Sequence, residues 1–234
     1  MGGEVRFHTK VTGIRTKRSI DFSDEPALAM LHLEDTRTNI GEDLLTDVAV
    51  LAIGHSARDT FGLLNLSDIK MEPKPFAVGV RVEHPQDMID ESQYGKNAPE
   101  SLPAAAYKLT AKTKEGRGVY TFCMCPGGYV VNASSEENRL AVNGMSYSGR
   151  NGKNANSAVI VTVSPEDFPE KGILGGLAFQ RQLEEAAFAE GQGKIPVQLF
   201  GDFKKNVPSS SAGAIAPQMK GAYSWGNVRS IFPE

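Results

Sequence analysis

The sequence predicts an α+β fold, and three observations carry that reading. Apolar residues near the start alternate in period two: Val5, Phe7 and Val11 within 3–18, then 27–34 (ALAMLHLE). From Phe76 to Val163 short strand-like runs follow one another with Gly-containing turns between them. One segment, Leu174–Ala189, has strong helical spacing, with Leu177, Phe179, Leu183, Ala186 and Ala187 apolar and Arg181, Glu184 and Glu185 between them.

Taken in order, the first strands form a small antiparallel meander joined through an Asp21–Pro26 turn. An apolar run, Val48–Ile53, then stops at Gly54, which reads as a buried strand delivering its end to a tight turn. A short helix is predicted over Arg58–Leu66 with Ser56 as its N-cap. The character changes at Pro73-Lys74-Pro75, so we place a boundary there, giving domains 1–72 and 73–234. The second begins with a strand at 76–83 that His84-Pro85 ends, and a helix at 86–94. Strands are predicted at 104–112, 117–124, 128–133, 139–143 and 156–163, and Ser164-Pro165-Glu166-Asp167 reads as a helix start. Gly191 closes the long helix. The tail, with 207–214 loop-like and 221–234 without a period, predicts little regular structure.

Composition excludes several classes of function. With 25 basic and 28 acidic residues the net charge is −3 and no like-charge block occurs, so nucleic acid is not an expected partner. No apolar run reaches the roughly 18 residues of a membrane span. No signal-peptide pattern opens the sequence and the only cysteines are Cys123 and Cys125, so a reducing cytoplasm is the expected location.

Two stretches stand out as candidate sites. At Ala52-Ile53-Gly54-His55 a strand end meets a glycine, and ligands of open α/β sheets sit at such ends. The other is Cys123-Met124-Cys125-Pro126-Gly127-Gly128, where thiols at i and i+2 of a regular strand share a face. Gly127 and Gly128 would let backbone approach a flat ligand there. Metal binding is not expected, because the histidines at 8, 32, 55 and 84 do not cluster. The loop 144–154 lacks Walker spacing and reads as a polar surface loop or, alternatively, a lid presenting Arg150 or Asn154 to an anion.

Five ordered stretches carry a family resemblance: GGEVRFHTKVTGI, DVAVLAIGHSARDTFGLL, FAVGVRVEHPQ, VYTFCMCPGGYVVNASSE and VNGMSYSGRNGKNANSAVIV. Together they resemble bacterial FAD-dependent dehydrogenases of the NAD(FAD)-utilizing type. The resemblance implies a partial FAD-binding, Rossmann-like domain over 1–72 and an inserted, mainly antiparallel β domain with helices over 73–234. It implies cofactor contacts at Val11 (adenine side) and at Ala52, Ile53, Gly54 and His55 (ribose and pyrophosphate side); the Gly127 and Gly128 turn, read from its own residues, is a further candidate for cofactor contact. Cys123 and Cys125 become candidates for the redox chemistry, FAD the cofactor, and NAD(P) a candidate electron donor. Such enzymes open with Gly-x-Gly-x-x-Gly and close with a Gly-rich FAD segment, and this sequence contains neither. The expectation is therefore an internal fragment, inactive and without FAD on its own, whose partners are a small-molecule substrate and the rest of a parent chain, with self-association through exposed apolar surface. The alternative is a non-enzymatic recognition or interaction domain.

Overall fold

The structure is a computed structural model that describes residues 2–18, 26–67, 69–99 and 101–233. Twelve strands and four α-helices are found among the described residues, in mostly antiparallel sheets, as an α+β fold requires. The chain divides into two compact units, Met1–Pro73 and Lys74–Glu234.

The first unit is an antiparallel meander of β1 (Thr9–Arg18), β2 (Pro26–Asp35) and β3 (Gly41–Leu45). Its second turn is set by Asp35, whose carboxylate accepts from the backbone N–H groups of Arg37 at 2.8 Å and Thr38 at 3.2 Å. Asn39 adopts φ 55°, which brings Gly41 directly opposite Glu34. The third strand is thus Gly41–Leu45, and the expected buried strand at Val48–Ile53 is not formed. Both edges of β2 are already taken by β1 and β3, so among the described residues the Val48–Ile53 run has no backbone partner, and it lies exposed, Val50 at 87%. The expected Asp21–Pro26 turn lies outside the described residues except for Pro26, where β2 begins. Helix α1 spans Arg58–Leu66, as predicted. Its cap is not Ser56: Ala57 holds that position, and Ser56 Oγ instead lies 2.9 Å from His55 Nε2. An ion pair between Asp59 of α1 and Lys10 of β1, at 2.7 Å, links helix to sheet, and Leu33 and Leu64 are buried.

In the second unit β4 (Phe76–Pro85) is followed by α2 (Gln86–Tyr94), β5 (Thr110–Lys112), β6 (Gly118–Cys125), β7 (Tyr129–Asn132), β8 (Val142–Met145) and β9 (Asn154–Val163). Next come α3 (Gly175–Gly191), β10 (Ile195–Val197), α4 (Phe200–Lys205), β11 (Met219–Lys220) and β12 (Tyr223–Trp225). The main sheet has the order β4-β9-β6-β5 and is antiparallel throughout. One of its faces carries Phe76, Val78 and Val163 onto Phe168, Phe179 and Leu183, closing an aromatic cluster in which Phe168 is 2% exposed. A second core gathers Leu140, Ala187 and Ile195 with Phe188, Met219 and Ile231.

The Ser164 start signal yields only a three-residue 3-10 turn, Pro165–Asp167, because Phe168 leaves it in extended backbone. Helix α3 runs through Gly191, and its left-handed terminator is Gln192 at φ 51°. The tail is more ordered than its sequence suggests. β11 pairs parallel with β7 and β12 pairs parallel with β10, non-local pairings that no local period announces.

Candidate functional site

In the first unit, residues Leu51–His55 are exposed. Gly54 adopts φ 70°, in the left-handed region that favours glycine, and no atom lies within 4 Å of where its Cβ would stand. Among the described residues, no hydrogen bond engages the amides of Ala52, Ile53 or Gly54. Free amides beside an unobstructed glycine suit contact with the ribose or phosphate edge of a dinucleotide. Val11 sits opposite Leu33 in β1, at a break in register before Gly13.

In the second unit, a β-bulge between Phe122 and Cys125 interrupts β6. Cys123, at φ 45°, is exposed, whereas Cys125 is buried. The bulge therefore breaks the alternation that would put the two thiols on equal terms. The Cys125 thiol donates to the Cys123 carbonyl at 3.3 Å, and burial raises its pKa, opposed by the charge of Arg81. Gly127 and Gly128 are buried, and the close approach they permit is to the protein's own backbone. A Cβ at Gly127 would collide with the Arg150 carbonyl, and one at Gly128 would stand 2.6 Å from the Met145 carbonyl.

Three residues without a sequence signal of their own, Gln86, Gln218 and Glu83, organise this region. Gln86, buried at the start of α2, accepts from the Gly127 N–H at 2.7 Å and donates to the Ala105 carbonyl at 3.0 Å. Gln218 donates Nε2 to the Gly128 carbonyl at 2.8 Å, accepts from the Lys153 N–H at 3.0 Å, and gives its own N–H to Glu83 Oε1 at 2.9 Å. Glu83 is held above its ordinary pKa by burial, with the Gln218 N–H and Asn154 side chain pulling the other way. Asn154, offered as a lid residue, is instead buried, its Nδ2 donating to the Ala216 carbonyl at 2.9 Å. In the same loop Tyr147 meets Tyr129 edge-on at 5.6 Å, and Lys220 Nζ lies 4.5 Å from the Tyr129 ring centroid. Half-buried His84 meets the Tyr107 hydroxyl at 2.7 Å, and burial lowers the pKa of the imidazole and raises that of the phenol.

Neither the sequence's candidate thiols nor its glycines form a metal centre: no group of three or more potential ligands occurs among the described residues. Nor, among those residues, is any helix long and apolar enough to cross a membrane.

A family profile described as "FAD-dependent protein, C-terminal domain-like" matches residues 75–234. The chain belongs to that family. The match begins where the second compact unit begins, so the FAD-dependent family is recognised through the main sheet, the Cys123–Gly128 turn and the tail. A curated relative, an uncharacterized protein of Clostridium beijerinckii, is 45% identical over 238 residues. The alignment covers all of this chain and 42% of that protein, so the chain spans less than half the length of the relative it matches.

Proposed function

We propose that this chain is the central part of an FAD-dependent oxidoreductase. The match of residues 75–234 to an FAD-dependent family is the observation that carries this reading. In it, residues 1–72 supply part of the cofactor-binding domain and residues 73–234 the inserted substrate-side domain. The exposed amides of Ala52–Gly54, with His55 and Val11, would lie along the adenosine and pyrophosphate portion of FAD. The Gly127-Gly128 turn, stiffened from within by Gln86 and Gln218, would hold the bulge at Cys123 in place rather than touch the ring itself. FAD, when bound, supplies hydride acceptance and onward electron transfer; the protein's part is positioning and electrostatics. Cys123, exposed on the bulge, is the thiol placed to meet a substrate or the cofactor, with Cys125 behind it. NAD(P)H is the proposed electron source.

The contacts available here are those of a strand end. Without further phosphate donors they leave several charge-assisted hydrogen bonds unmade, each worth roughly 1.5–3 kcal/mol. The 234-residue chain is thus expected to purify colourless, with weak FAD affinity. The decisive experiment is an absorbance spectrum of the longer gene product, followed by anaerobic addition of NADH or NADPH. A flavin spectrum that bleaches on addition is the expected result. A colourless longer protein that takes up no FAD would overturn the proposal, and near-stoichiometric FAD on the 234-residue chain would overturn the division of labour within it.

A further inference from the structure

Arg81, in the middle of β4, carries a half-buried charge that makes no ion pair among the described residues. Its Nη1 donates to Asn156 Oδ1 at 3.0 Å and to the Cys123 carbonyl at 3.1 Å, and its Nη2 donates to the same carbonyl at 2.9 Å. The remaining contact, Nη2 to Asn143 Oδ1, is long at 3.5 Å. All of these acceptors are neutral. Glu83, two residues along on the same face of β4, is engaged instead by Gln218 and Asn154. Guanidinium groups withdrawn from water are ordinarily paired with an anion, because the desolvation cost is otherwise unanswered. The Cys123 carbonyl occupies the Nη1–Nη2 end of the fork. The Nε–Nη2 edge, the geometry that matches a carboxylate with two parallel hydrogen bonds, has among the described residues only the long contact to Asn143.

The residues across the sheet from Arg81 are largely apolar. Arg81, Ala158 and Phe122 are directly opposite one another across β4, β9 and β6, and Gly79, Ile160 and Tyr120 form the adjacent row. Opposed residues of antiparallel strands share a face, here the one turned away from the Phe76–Phe168–Phe179 core. On one side of Arg81, β8 covers the sheet, and only a glycine fits there: a Cβ at Gly144 would lie 2.6 Å from Arg81 Cζ. On the other side the row is open, with Phe122 57% exposed. Asn156, fully buried on the same face, holds the guanidinium through its Oδ1 and, among the described residues, has no partner for its Nδ2 donor.

We propose that this row is a recognition site for a small carboxylate with a flat apolar body. Arg81 takes the carboxylate on its Nε–Nη2 edge, Phe122 and Ile160 contact the body, and Asn156 is a positioning residue for Arg81. Cys123, whose carbonyl anchors the guanidinium, stands beside the bound molecule. The assignment rests on the oxidoreductase reading only in calling that carboxylate a substrate.

The test uses the 234-residue chain labelled at arginine, with the Nε–Hε resonance of Arg81 identified by its loss in Arg81→Lys. Benzoate, benzamide, inorganic phosphate and FAD are titrated separately. The expected result is a saturable shift with benzoate, at least tenfold weaker binding of benzamide, and severalfold weaker benzoate binding by Phe122→Ser, at an exposed position, with circular dichroism unchanged. If Arg81→Lys fails to fold, the resonance is assigned through Phe122→Ser and its neighbours instead. No saturable response to benzoate overturns the proposal. So does phosphate competing as well as benzoate, which would mark a site for charge alone. FAD displacing benzoate stoichiometrically would overturn it too, giving the edge to the cofactor. Because this chain is examined without flavin, benzoate binding stands even if the longer protein proves colourless, and its failure leaves the flavin reading untouched.

Discussion

Substituting Gln218 with Ala tests whether the tail holds the Cys123–Gly128 turn. The change removes the donor to the Gly128 carbonyl and the acceptor for the Lys153 and Asn154 N–H groups, the last a longer contact of 3.4 Å. Gly128 and Asn154 are buried, so water does not replace these bonds in the closed state. Hydrogen bonds of this kind contribute about 1–1.5 kcal/mol each, and stranding a buried partner costs more, so about 3 kcal/mol is the expected loss. At about 1.4 kcal/mol per tenfold, local opening of the turn becomes about a hundredfold more frequent. Cys125 reports it, since the thiol is buried and Gly128 of that turn packs against its Cβ. In a Cys123→Ser background, reaction with a chromogenic disulfide should be slow in the parent and about a hundredfold faster in Gln218→Ala, with unchanged circular dichroism. A Cys125 rate within threefold of the parent, in a folded variant, would refute the reasoning. The bonds drawn from Gln218 would then be dispensable to the turn.

Other outcomes follow from the same geometry. Phe168→Ala empties the centre of an aromatic cluster whose ring centroids lie 5.3 and 6.1 Å from Phe168, and should cost about 3–5 kcal/mol, roughly 10 °C in calorimetric melting. Val50→Asp, at a fully solvated position, should leave urea stability within about 0.5 kcal/mol while reducing self-association in sedimentation velocity. Asp167 is held well below the usual carboxylate range, first by Arg117 at 2.6 Å and then by the Ser164 N–H. Its contribution is therefore present above the ordinary aspartate pKa of about 3.9 and lost as pH falls below it. Asp167→Asn should be less stable at neutral pH yet show a shallower acid decline in urea melts. Glu83 has the opposite sign: with its pKa raised by burial, its contribution is fullest below about pH 4.3 and declines as pH rises through its value in the folded protein. The stability gap between Glu83→Gln and the parent should accordingly move in favour of the variant as pH increases.

Where local chemistry decides structure, the sequence was readable. Phe76–Val82 alternates and Pro85 ends the strand, and α1 and α2 begin and stop at the residues their composition marks. What could not be read depended on partners distant in the chain. Val48–Ile53 has the composition of a buried strand, but burial needs a neighbour, and the tight Asp35 turn gave β2's free edge to Gly41–Leu45. Met219-Lys220 has no period of its own and becomes a strand only because Val130-Val131 presents an edge. The site divides similarly. The Cys123–Gly128 stretch announces itself by residue type, yet a bulge decides which thiol faces solvent. Arg81 stands in an apolar run where its charge is the anomaly, and that anomaly was the available signal; Gln86 and Gln218 carried none.

The bond between Glu83 and the Gln218 N–H spans 135 positions. A ribosome adding roughly 5–20 residues per second needs on the order of ten seconds to cross that interval. For that time β4 exists without the segment that closes over its end, and β7, made part-way through, awaits β11. The Gln218 segment is thus a clasp rather than an appendage. Translation that stops short of Gln218 leaves the Cys125 turn ajar, and nascent chains paused there should be the ones that proteases and chaperones find first.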